Sequence, residues 1–139
     1  MTETYLLDTN VILRLILKDN LDQYNQVIKL MEQGESGKVK LYCSTISIFE
    51  TIFVLTGKIY QSSKLEVIQI IQTVLNLQPI NFEEQVTIFE ALEIFSSHSL
   101  SFPDCYLLAK SKINQYKFFS FDQKAVKIFN KLENLKPRI

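Results

Sequence analysis

Four carboxylates sit where they could act together. Asp8 follows Tyr5-Leu6-Leu7, Glu50 lies within Ile46-Ser47-Ile48-Phe49-Glu50-Thr51-Ile52-Phe53-Val54-Leu55, Asp104 sits in Ser101-Phe102-Pro103-Asp104-Cys105, and Asp122 closes Ser120-Phe121-Asp122. Asp8 and Asp122 each end an apolar run that reads as a strand. Both therefore belong on the carboxyl edge of a sheet, where open α/β proteins place their ligands. Asp104 opens a helix. Glu50 is surrounded in sequence by apolar residues, with no Lys or Arg within a turn, and a carboxylate so placed needs a partner. If the four converge, their repulsion is large, and without a cation some of them would take up protons. A hard divalent cation removes the conflict. Mg²⁺ and Mn²⁺ prefer carboxylate and water oxygens and keep positions open for a substrate phosphate. Such a site can lower the pKa of a water, align it with a phosphorus and neutralise the developing charge.

Each acid also has a purely structural explanation. Asp8 and Asp122 suit the N-caps of the helices that follow them. Glu50 stands three residues after Ser47, and Asp104 three after Ser101, the spacing of a capping box. The other chemistry-bearing residues are sparse. His98, the sole histidine, lies in the polar stretch Ser96-Ser97-His98-Ser99 and reads as solvated. Cys43 and Cys105 form no CxxC pattern, so neither a zinc site nor a disulfide framework is expected, and Cys105 reads as a small residue packed against a sheet. Gly34, Gly37 and Gly57 are the only glycines and compose no phosphate-binding fingerprint, which argues against a nucleotide cofactor.

At 139 residues the chain reads as a single domain, 1–139, long enough to bury roughly two thirds of its unfolded surface. Fifteen basic and fifteen acidic residues cancel, which speaks against a protein that coats DNA but not against a nuclease working through a cation. The start lacks a signal-peptide pattern, and charges interrupt every apolar stretch before membrane length, so a cytoplasmic protein without a membrane partner is expected.

The elements that must position the acids follow from periodicity. Tyr5 to Leu7 reads as a short buried strand and Val11 to Leu17 as a helix. Leu21, Tyr24, Val27, Ile28 and Met31 carry helical spacing, and Val39, Leu41 and Cys43 alternate as a second strand. Helices are expected over 44–55, 63–77 and 83–95, with a short strand at 79–82 between the last two. Gly34 and Gly37 mark a break after the second helix, and Gly57 suits a C-cap. Pro103 suits the first position of a helix to about Ile113. Lys117 to Ser120 reads as a fourth strand, Asp122 to about Leu132 as a last helix, and 135–139 as a small final strand. Strands alternating with helices imply an α/β fold: a three-layer α/β/α sandwich around a mostly parallel sheet of four or five strands.

Taken together, Leu7-Asp8-Thr9-Asn10-Val11-Ile12-Leu13-Arg14, Glu50 in its apolar helix, Phe102-Pro103-Asp104-Cys105-Tyr106-Leu107-Leu108-Ala109 and Ser120-Phe121-Asp122 resemble the PIN domain, and more narrowly the VapC toxins of bacterial toxin–antitoxin pairs. The resemblance runs over nearly the whole chain in the right order. It implies Mg²⁺- or Mn²⁺-dependent endoribonuclease activity that leaves 5′-phosphate and 3′-hydroxyl ends. It implies that Asp8, Glu50, Asp104 and Asp122 are the metal-site acids. Asn10 matches the family's polar helper after the first acid. Ser120 matches a hydroxyl, more often Thr, two residues before the last. Pro103 stands where a small residue is more usual. Gln123 and Lys124 follow Asp122 where a fifth acid would decide between one metal and two. The resemblance further implies an RNA substrate, a homodimer and a cognate antitoxin whose segment fills a groove, for which the apolar helices from Val11 to Leu77 offer candidates. Lys110, Lys112, Lys117, Lys124, Lys127, Lys131, Lys136 and Arg138 enrich the C-terminal third in base and read first as a solvated face. Two other functions remain open: a non-catalytic binding module on the same fold, with the acids as caps, and a receiver-type phosphoacceptor, which would want paired acids after the first strand and an Asp after the third.

Overall fold

A computed structural model describes residues 2–134 of the chain. They fall into two compact units, one running through Gln85 and the other from Val86 onward.

The first unit is built on β1 (Glu3–Leu7), α1 (Thr9–Leu17), α2 (Leu21–Glu35), β2 (Val39–Cys43), α3 (Thr45–Thr56), α4 (Lys64–Leu75) and β3 (Ile80–Phe82). The strands form one parallel sheet in the order β1-β2-β3. Pairs of helices join successive strands, as a parallel connection requires. The register places Leu7 beside Cys43 and Cys43 beside Phe82, so all three strands end on one line. The residue after β1, Asp8, therefore stands on the carboxyl edge, as expected.

Several helix boundaries follow from local chemistry. Asn20 caps α2 by accepting the Gln23 N–H at 3.0 Å. Ser63 and Glu66 close a reciprocal capping box on α4. Gly34 is not a break but part of the last turn of α2. A Cβ there would lie 3.0 Å from Leu41 Cδ1 and 3.1 Å from Pro79 Cβ, so the residue's smallness lets the helix approach β2. The chain turns afterwards at Gly37, whose φ of +79° suits glycine. Gly57 is the C-cap of α3, but in extended rather than left-handed backbone, with its N–H donated to the Val54 carbonyl. Ile12, Leu41, Ile48, Leu55, Ile71 and Leu75 are fully buried.

The first strand differs from the expectation of a buried one. Only Leu7 is buried; Leu6 is 71% exposed, and so, at 43%, is its same-face neighbour Tyr42 on the central strand, so the exposure belongs to that face of the sheet.

The second unit holds α5 (Gln85–Ser97, beginning at the boundary residue), α6 (Phe102–Asn114) and α7 (Gln123–Asn134). Ser101 caps α6, and Pro103 takes its second position rather than the first, where its missing N–H still costs no helical bond. Phe95 meets Phe102 edge-on at 5.6 Å, and Phe118 lies 5.5 Å from Phe129. The expected strand at 117–120 does not form. The stretch has strand-like composition, but a strand exists through its ladder, and 117–120 joins none among the described residues. The described sheet accordingly has three strands. The strand expected at 135–139 lies outside the described residues. No helix among the described residues is long and apolar enough to cross a membrane.

Candidate active site

Asp8 leaves β1 in extended backbone, φ −83° and ψ 173°, and its Oδ1 accepts the Val11 N–H at 3.2 Å. The carboxylate is thus the N-cap of α1. One oxygen suffices for that bond, and Oδ2 has no protein partner among the described residues. The next residue reaches across the fold: Thr9 Oγ1 donates to Glu50 Oε2 at 2.6 Å, tying the first turn of α1 to the second turn of α3. Asp8, Thr9, Asn10, Leu13, Glu50 and Val54 line one cavity of about 260 Å³.

Glu50 departs from both expectations made for it. It is not held in a capping box, because Ser47 lies inside α3, buried, with its carbonyl accepting the Thr51 hydroxyl at 2.7 Å. Nor is it a buried carboxylate in an apolar setting. Ile48, Ile52 and Leu55 turn one face of α3 into the core, while Ile46, Glu50 and Phe53 share the opposite, exposed face. Glu50 is therefore exposed, and it lines the cavity.

No Lys or Arg among the described residues pairs with Asp8 or Glu50. The nearest guanidinium in sequence, Arg14, is committed to Asp19 Oδ1 and Gln23 Oε1, each at 2.8 Å. Two carboxylates, a hydroxyl and a carboxamide thus line one cavity with no basic partner. This is an oxygen donor set, which suits a hard divalent cation.

The remaining sequence-derived residues belong to the second unit. Asp104 lies in the first turn of α6, half-buried, with its N–H donated to Ser101 Oγ at 3.3 Å. The Ser101 half of the expected capping box is present; the return bond from the Asp104 carboxylate does not form among the described residues. Asp122 precedes α7 and accepts the N–H groups of Lys124 at 3.0 Å and Ala125 at 3.2 Å on Oδ1, while its own N–H donates to Ser120 Oγ at 3.0 Å. Asp122 is a cap, as its local sequence suggests, and Ser120 orients the turn that presents it. Among the described residues no three Asp, Glu, His or Cys side chains gather closely enough to hold a metal ion. Two lysines of the basic C-terminal third are engaged locally: Lys112 pairs with Glu90 at 2.6 Å, and Lys124 donates to the Ser99 carbonyl at 2.7 Å.

Thr9 is the residue the sequence did not single out. Its one signal is its place between Asp8 and Asn10, and nothing local pairs position 9 with position 50.

The profile of the PIN domain family matches residues 5–131. The chain belongs to the PIN domain family. No curated protein matches it. PIN domains are commonly nucleases, and the parallel sheet with an acid at the end of its first strand accords with that membership. In this PIN domain, Asp8 and Glu50 reach one cavity from elements that are neighbours in space and distant in sequence.

Proposed function

We propose that this PIN domain is a Mg²⁺- or Mn²⁺-dependent endoribonuclease that hydrolyses RNA phosphodiester bonds, and that it is the VapC-type toxin of a type II toxin–antitoxin pair. The observation that carries the reading is the meeting of Asp8 and Glu50 at one cavity with no basic partner between them. The family membership supports hydrolysis of a nucleic acid.

In this reading Asp8 and Glu50 hold the cation through carboxylate oxygens. Asp8 keeps one oxygen on the α1 backbone and so arrives preoriented. Thr9 fixes the rotamer of Glu50 by its short hydrogen bond. Asn10, in the first turn of α1 and on the same cavity, offers an amide to a substrate phosphate or to the attacking water. By resemblance to the family, Asp104 and Asp122 would supply further carboxylate ligands, and Ser120, whose hydroxyl accepts the Asp122 N–H, would present Asp122. When bound, the cation supplies charge neutralisation at the scissile phosphate and a lowered pKa for the attacking water. The reading takes 1–139 as one domain with the four- or five-stranded, three-layer architecture of the family, working in the cytoplasm as a homodimer. An antitoxin segment has a candidate seat in an apolar groove of about 440 Å³ lined by Leu15, Ile16, Ile70, Val74 and Leu77.

One observation favours a second reading. Asp8 and Asp122 do cap helices, which is all that a non-catalytic binding module would ask of them. The two readings part on activity. The nuclease reading expects Mn²⁺-dependent cleavage of RNA by the wild-type chain and its loss in Glu50→Gln and in Asp104→Asn, each still folded by circular dichroism. Full activity in either folded variant sinks the assignment of that acid.

A further inference from the structure

A second cavity of the first unit, about 380 Å³, opens between α1 and α2 and shares Asn10 with the carboxylate cavity. Its volume lies in the range of small-ligand sites. The floor is apolar: Val27 is buried, and Val11 and Leu30 are half-buried. The rim is polar but nearly uncharged. It carries the carboxamides of Asn10, Gln23 and Gln26 together with Arg14. Arg14 pairs with Asp19 through Nη1, which offsets its charge, and its Nε donates to Gln23 Oε1. That bond also orients Gln23, occupying its carbonyl oxygen and leaving its NH₂ group to donate. The side chains of Asn10 and Gln26 have no hydrogen-bond partner among the described residues.

An apolar floor edged by amides, with its one cation already paired to Asp19, suits a phosphate poorly, since a phosphate calls for net positive charge. It suits a nucleobase. The base's face packs on the aliphatic floor, and its edge, a row of donors and acceptors, meets carboxamides that carry both. The shared Asn10 sets this cavity directly beside the carboxylates. We propose that the cavity between α1 and α2 receives one base of the RNA substrate, next to the phosphate that is cut, and that Gln23 and Gln26 set the base preference of cleavage. The proposal rests on the ribonuclease reading for its substrate class, yet it is a statement about binding and can be tested apart from cleavage.

The test is a nuclear magnetic resonance titration of the full chain, without divalent cations, against RNA trinucleotides of A, C, G and U in turn. The side-chain NH₂ signals of Gln23 and Gln26 are expected to shift with one base and to respond weakly to the others. Gln26 is exposed, so Gln26→Ala leaves the fold intact; it is expected to weaken the preferred RNA by roughly fivefold or more and to level the four affinities. Gln26 signals unmoved by all four RNAs, or discrimination preserved in Gln26→Ala, overturns the proposal. Incubating the same RNAs with Mn²⁺ separates the two readings. Shifts without cleavage leave a base-binding cavity but sink the nuclease assignment and with it the role in cleavage preference, whereas cleavage without shifts upholds the nuclease and overturns the base pocket.

Discussion

Replacing Asp8 by Asn separates the two jobs of its carboxylate. As a cap, Asp8 uses one oxygen to accept the Val11 N–H at 3.2 Å. Asn keeps that acceptor and ranks with Asp at N-caps, so the loss is confined to the charge at the helix N-terminus, about 0.5 kcal/mol at an exposed site. Asp8→Ala removes the bond as well and is expected to cost about 1 kcal/mol, lowering the midpoint of thermal unfolding by roughly 4 °C for a chain of this size. Cation binding should follow the opposite pattern. Asn and Ala both lack the anionic oxygen, and both should lower Mn²⁺ affinity by at least ~10-fold, the loss commonly seen when a residue that merely orients a ligand is removed. The assay pairs thermal unfolding in chelator with calorimetric titration of MnCl₂ into wild type, Asp8→Asn and Asp8→Ala. Wild-type Mn²⁺ affinity in Asp8→Asn would refute the reasoning, because the carboxylate would then be a cap and nothing more.

Other outcomes follow from the same geometry. Asp122→Ala should destabilise the chain by about 1–2 kcal/mol, since Oδ1 accepts two backbone N–H groups, and Asp122→Asn should restore most of it; urea unfolding measures both. Gly34→Ala should destabilise by about 1 kcal/mol despite alanine's better helix propensity, because the new methyl would meet fully buried Leu41 at 3.0 Å; unchanged stability would show that α2 can retreat. Burial, helped by the charge of Glu83, pushes the Cys43 thiol from 9.0 up to about 11. The folded chain therefore holds the Cys43 proton after the unfolded chain has released it. This contribution to stability is complete below about pH 9 and is lost as pH rises towards 11, and Cys43 should resist thiol reagents at pH 8 until the chain is unfolded.

Much of the fold could be read from local pattern. Alternation in Val39, Leu41 and Cys43, and helical spacing from Leu21 to Met31, depend on nearest neighbours, and β2 and α2 form where those patterns lie. The stretch 117–120 has the same kind of composition, but pairing is decided by a partner far away in sequence, and among the described residues it has none. The same limit explains Glu50. Its apolar neighbours suggested a buried charge. Which face of α3 turns inward is settled by packing, and Glu50 lies on the exposed one with Ile46 and Phe53. The caps at Asp8 and Asp122 are local and were legible as such. The bond from Thr9 to Glu50 spans 41 positions, beyond the reach of any local pattern, and it is this bond that draws Glu50 towards the end of β1.

The most direct test of the central claim is the chemistry of the RNA ends. Purified chain is incubated with a defined single-stranded RNA, with Mn²⁺ or with chelator, and the fragments are tested for substrates of a 5′-phosphate-dependent exonuclease. Fragments with 5′-phosphate and 3′-hydroxyl ends are expected in Mn²⁺, none in chelator, and none from Glu50→Gln. Cleavage that survives chelation, or fragments ending in 2′,3′-cyclic phosphate, would contradict the claim, because the RNA's own hydroxyl and not an activated water would then have attacked the phosphorus.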